Sequence, residues 1–201
     1  MTRHKMTRQQ RTRVQYVAAG ALIVIAAAGV LLFLRGSSST TRTTSAAAPT
    51  SVRHIAQPAG PNPSASAQMV CAPEAQKELT SALGATATTV TTPTWIDHVY
   101  SCNYAYPTGV IAVSVKELSS RAETTAYFES LRARLGQSER LKNVAQGAFV
   151  TKDGSLVLRK DYKVLFVDTS SLPVPFGSGF STRSQVSVGV GITVLGCWTG
   201  A

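Results

Sequence analysis

From residue 14 to residue 34 the chain reads VQYVAAGALIVIAAAGVLLFL, an apolar run with no charge, in which Gln15 and Tyr16 carry the only polar side-chain groups. At about 1.5 Å per residue such a run spans roughly 30 Å, the thickness of a bilayer's hydrocarbon core, so the pattern predicts a transmembrane helix. A cleaved signal peptide is the competing reading. Its apolar region runs about 7 to 15 residues and ends at a small-residue cleavage site, whereas this run is longer and continues into Arg35. Residues 35–68 then lose the apolar pattern: they are rich in Ser, Thr, Ala and Pro and hold no acidic residue and no Phe, Tyr or Trp. That composition buries too little apolar surface to offset the entropy of ordering, and it predicts a disordered linker.

Periodicity returns in residues 69–201, enough chain for one core. Pro73, an apolar face of Ala75, Leu79, Ala82 and Leu83, and Gly84 as terminator predict a first helix. A second is predicted after Ser120, where Ser120 and Glu123 have capping-box spacing, Tyr127, Phe128, Leu131 and Leu135 form a stripe, and Gly136 ends it. Two β-rich runs, 99–106 and 110–115, flank Pro107-Thr108-Gly109 and predict a hairpin with Tyr100, Cys102, Tyr104 and Tyr106 on one strand face. Asp153-Gly154 joins 148–152 to 155–159 in another hairpin, and 162–168 extends it into a meander. Residues 183–197 are ambiguous. Val186, Val188, Val190, Ile192 and Val194 alternate as in a strand, while Val186, Val190, Val194 and Cys197 share a helical face; residue pattern alone favours the strand. Strands in hairpin runs, without βαβ alternation, predict an α+β fold in which helices cover an antiparallel sheet of hairpins.

Charge changes the picture of the first third. The 201 residues carry 20 Lys plus Arg against 10 Asp plus Glu, a formal +10. Every acidic residue lies in the domain, which is left at only +2, while the tail 1–13 holds Arg3, Lys5, Arg8, Arg11 and Arg13. Basic residues are retained on the cytoplasmic side, so the tail predicts an N-terminus inside and residues 69–201 outside, at the cell membrane. The tail has no interleaved aromatic residue for base stacking, and no nucleic-acid partner is expected.

An exported domain permits disulfides, and its three cysteines allow three pairings. Cys71 with Cys102 is preferred, closing a loop whose constraint is worth roughly 3 kcal/mol; Cys71 with Cys197 and Cys102 with Cys197 remain open. No spacing is a CxxC, and the domain has a single histidine, so neither a metal site nor a cofactor is expected. His98 beside Asp97 is the one residue on which a hydrolase would rest, and Gly177-Ser178-Gly179 lacks the GxSxG spacing of a nucleophile elbow. Asp168, before Thr169-Ser170-Ser171, is a strand-end residue or part of a binding loop. Tyr100, Tyr104 and Tyr106, with Trp95 just before them, are the candidate ligand-binding residues: they form either a stacking platform or part of the core.

The order of Cys71 with the helix ending Leu83-Gly84, the Cys102-Asn103-Tyr104 strand, the helix with Tyr127-Phe128, the Lys152-Asp153-Gly154 hairpin and the terminal Cys197-Trp198 resembles small exported or membrane-anchored domains of unknown function common in actinobacteria, including families of predicted lipoproteins. This chain departs from the lipoproteins in having no Cys soon after the apolar run. The resemblance implies an α+β domain that ends in a helix, and it implies no functional residue. The expectation is a single-pass membrane protein that displays a non-catalytic domain for an envelope ligand or protein partner. A membrane-anchored hydrolase using His98 and a structural envelope component are the alternatives.

Overall fold

The computed structural model describes residues 56–199; the basic tail, the apolar run 14–34 and residues 35–55 lie outside the described residues. Among those described, no helix is long and apolar enough to cross a membrane. The elements in chain order are α1 (Ala65–Gln68), a 3-10 turn (Met69–Cys71), α2 (Pro73–Leu83), β1 (Thr89–Val90), β2 (Thr94–Ile96), β3 (Val99–Tyr106), β4 (Gly109–Glu117), α3 (Arg121–Leu135), β5 (Gln137–Leu141), β6 (Gly147–Thr151), β7 (Leu156–Lys160), β8 (Lys163–Asp168) and α4 (Arg183–Thr199).

The strands form one antiparallel sheet in the order β1-β3-β4-β8-β7-β6-β5, with β2 beside β1 along the same edge of β3. The fold is therefore α+β, built from hairpins, and both faces of the sheet are covered. On one face Cys102, Tyr104, Tyr106, Ile111, Val113, Val115, Leu156, Leu158, Leu165 and Val167 pack under α1, α2 and α4. On the other, α3 lays Phe128 and Leu131 onto Phe149, Val157 and Val164. This explains why β6, β7 and β8 read as nearly continuous apolar runs, whereas β4 alternates more cleanly.

Local signals account for the helix ends. Pro73 starts α2, and Gly84 closes it at φ 61°, its N–H donating to Thr80 O. Ser120 Oγ accepts from Glu123 N–H at 3.1 Å, and Glu123 Oε2 accepts from Ser119 N–H at 3.2 Å. Residues 183–197 are helical and not a strand. Thr182 Oγ1 accepts from Gln185 N–H, and Gln185 Oε1 accepts in return from Ser181 and Thr182 N–H, a reciprocal cap. Val186, Val190, Val194 and Trp198 then share the buried face. The glycines that made the alternation look like a strand serve close packing: a Cβ on Gly191 would lie 2.1 Å from Leu156 Cδ2.

Residues 56–68, placed in the linker on composition, are docked on the domain instead. Ala59 N–H donates to Leu118 O, Trp95 Nε1 to Pro61 O and Trp198 Nε1 to Ser66 O, and Ala67 is fully buried. Composition averaged over the whole stretch hid the Ser64 cap and the buried Ala67 of its last residues. Three strands, β1, β2 and β5, also carried no sequence signal, being short or polar.

Of the three pairings the cysteines allow, the structure holds Cys71 with Cys102, Cα to Cα 6.0 Å, and Cys197 is free. Both bridged residues are buried. Reduction is expected to lower unfolding free energy by about 3 kcal/mol in the loop-entropy account, read as the shift in urea midpoint with and without reductant. Gly177 has φ 57° and a Cβ there would lie 2.1 Å from Leu83 O. Gly177→Ala is expected to cost about 1–3 kcal/mol by the same measurement; an unchanged midpoint would show that the loop relaxes freely.

Candidate functional site

Period two along β4 and β8 sends positions 111, 113, 115 and 165, 167 into the core, and continuing it one step brings Glu117 and Lys163 inward as well. The two are cross-strand partners, so the last rung of an otherwise apolar face is an ion pair. Both are buried, Glu117 3 % and Lys163 6 % exposed. Above this rung sit α1 and the C-terminal end of α4, which leave a cleft of about 70 Å³ lined by Ala56, Ser66, Met69, Lys160, Asp161, Lys163, Cys197 and Trp198.

The carboxylates here are already committed. Glu117 accepts from Ser64 N–H at 3.1 Å and from the Ser64 hydroxyl, and Ser64 Oγ in turn caps α1 by accepting from Ala67 N–H. Asp161 accepts from Gln146 Nε2 and Lys160 Nζ, each at 3.1 Å, and has Arg121 at 3.9 Å. The Lys163 ammonium differs. Its Nζ lies 3.9 Å from Glu117 Oε1, an ion pair beyond hydrogen-bond distance, and it donates to no protein acceptor among the described residues. Burial pushes the lysine below its ordinary pKa and Lys160 adds to that, while Glu117 and Asp161 pull the other way. The C-terminal end of α4, whose carbonyls favour positive charge, is also at this cleft.

The four aromatic candidates do not come together on one accessible surface. Tyr104 is buried and its hydroxyl donates to Val70 O at 2.6 Å; Tyr106 is buried with its ring edge-on to Phe176. Burial raises both phenols above their ordinary pKa, with Tyr106, Cys197 and Tyr100 adding to the shift at Tyr104. Tyr100 and Trp95 are partly exposed cross-strand partners, and Trp95 is held by Pro61 O and by an edge-on contact with His98. The strand-face prediction for 100, 102, 104 and 106 thus holds as part of the core.

His98 is exposed in the tight turn Asp97-His98, both at positive φ, where its carbonyl accepts from Glu117 N–H and its ring meets Trp95. Ser178 stands elsewhere, against the end of α2. Asp168 accepts from Ser155 Oγ and Ser170 N–H, which ties the turn after β8. No group of three His, Cys, Asp or Glu among the described residues is placed to hold a metal. The sequence singled out neither Lys163 nor Glu117. The available signal was a charge at the next inward position of two strands already read as strands.

No protein-family model, curated protein or solved structure matches the chain.

Lys163→Met takes the charge out of a buried ion pair while keeping the side-chain length, and the difference in unfolding free energy between variant and wild type is expected to change with pH. The folded-state pKa of Lys163 is depressed, so the unfolded chain binds more protons between that value and about 10.5, and wild-type stability rises across this window. Wild type should therefore gain on the variant as pH approaches 10. Ionising tyrosines affect both proteins alike and cancel. A gap independent of pH in urea titrations from pH 7 to 10 would mean that Lys163 ionises as it does in the unfolded chain.

Proposed function

We propose that the protein is a single-pass membrane protein whose apolar segment 14–34 holds an extracytoplasmic α+β domain that binds a ligand or partner at the cell envelope without catalysing its conversion. The cleft beneath the end of α4 carries this reading, because it combines a cation that donates to no acceptor among the described residues with apolar walls from Met69 and Trp198. The lining is mainly polar, with Met69 and Trp198 as its apolar part, so the cleft suits a polar group on a short apolar stem. The location draws support from the buried Cys71–Cys102 bridge, which fits an oxidising compartment, and from the basic residues before the apolar run. A binding role, as opposed to hydrolysis, draws support from the setting of His98 against Trp95 in an exposed turn.

Protease added to cells with permeable outer envelope layers and an intact membrane should digest residues 69–201, and crosslinking in native membranes should capture a saturable partner. Protection of those residues beside a digested exported control would overturn the orientation. Ester or glycan hydrolysis that vanishes in His98→Ala would overturn the non-catalytic reading.

A further inference from the structure

We infer that the cleft beneath the end of α4 is a subsite for a small carboxylate, with the Lys163 ammonium as its charged anchor; this rests on the binding role proposed above. An ammonium has three donors, and Lys163 gives none of them to an acceptor among the described residues although the residue is 6 % exposed. The ammonium opens onto the cleft, where a carboxylate placed against it gains a charge-assisted hydrogen bond. The charges in and around the cleft leave the same vacancy. Lys160, Lys163 and Arg121 face Glu117 and Asp161, one positive charge in excess, and each of the two carboxylates already accepts at least two hydrogen bonds. With the partial negative charge of the α4 carbonyls included, the described groups leave a small positive excess, which Lys163 presents to the cleft.

Size and lining narrow the class. About 70 Å³ holds about five waters at the smallest usable cavity volume per water, or one carboxylate on a short stem. Met69 and the Trp198 ring supply apolar walls for that stem, and Trp198 is held in place by its hydrogen bond to Ser66 O. A phosphate dianion would demand more donors than one buried ammonium and the rim residue Lys160, which is already paired with Asp161. The carboxylate belongs either to a free organic acid or to the end of a peptide, and the chemistry at Lys163 is the same for both.

The test uses the full chain in detergent micelles and follows acetylation of Lys163 by mass spectrometry, with the exposed Lys77 as internal control. Propionate and propionamide, and trialanine and its C-terminal amide, are compared at equal concentration. Slowing of Lys163 acetylation at least about fivefold by an acid and not by its amide is expected, with Lys77 unaffected. Propionate alone acting identifies a free acid as the source, and trialanine alone a peptide end. Equal slowing by acid and amide, or no slowing by either acid, overturns the proposal. Equilibrium dialysis with labelled forms of the acid that protects should show binding in wild type and at least tenfold weaker binding in Lys163→Met; equal binding also overturns it. Retention of a crosslinked envelope partner when Lys163 ignores both acids would remove the carboxylate and leave the binding role standing.

Discussion

The attachment of residues 70 and 71 to strand β3 is the constraint around which the domain is arranged. Two links converge there: the Cys71–Cys102 bridge and the Tyr104 hydroxyl donating to Val70 O. All of these groups are buried, so water does not compete for them. Since α2 begins two residues after Cys71, fixing that point fixes where α2 crosses the sheet. The end of α2 then receives Ser178 N–H at Leu83 O, which positions the loop leading into α4, and α4 packs beside α2 over the same face. A covalent tie at the entry to the helical layer is thus passed on to its exit.

The Glu117–Lys163 rung stands apart from this apolar framework. A buried ion pair recovers its desolvation cost only with good geometry and additional hydrogen bonds, and apolar residues of similar volume would often serve stability as well or better. Here the carboxylate has those extra bonds, both from Ser64, and the ammonium has none. The imbalance sits where segment 56–64 and the end of α4 meet, so the pair also seats the chain that enters the domain. The rung is thus unequal, its carboxylate held by segment 56–64 and its ammonium turned to the cleft.

Much of the architecture was legible in the sequence because local chemistry and tertiary placement agreed. Pro73 with Gly84 and Ser120 with Glu123 mark helix ends as read, and Asp153-Gly154 does lie in a hairpin turn, although its loop is 152–154 and not the two residues alone. Residues 183–197 failed that agreement: β-branched valines and interspersed glycines suit a strand locally, but Gly191 is small because Leu156 lies against it, a fact about the sheet below. Docking of 56–68 was hidden for the same reason, since its partners Trp95, Leu118 and Glu117 are more than 30 residues away in the chain. At the candidate site the aromatic residues drew attention because they are chemically conspicuous. The burial of Tyr104 and Tyr106 follows from alternation on β3, while the Glu117–Lys163 pair was marked only by its register.

The two margins of the sheet remain. One is split: β1 and β2 share the outer side of β3 but are separated by 91–93, where Thr91 closes on Asn103 through its own backbone and hydroxyl and Pro93 lacks an N–H. The other, β5, reads QSERL, with a register irregularity between Gln137 and Glu139. Neither margin offers a long, flat row of free amides and carbonyls, so neither templates the addition of a strand from a neighbouring molecule. Crowded copies of this domain therefore meet no long, regular strand edge among the described residues.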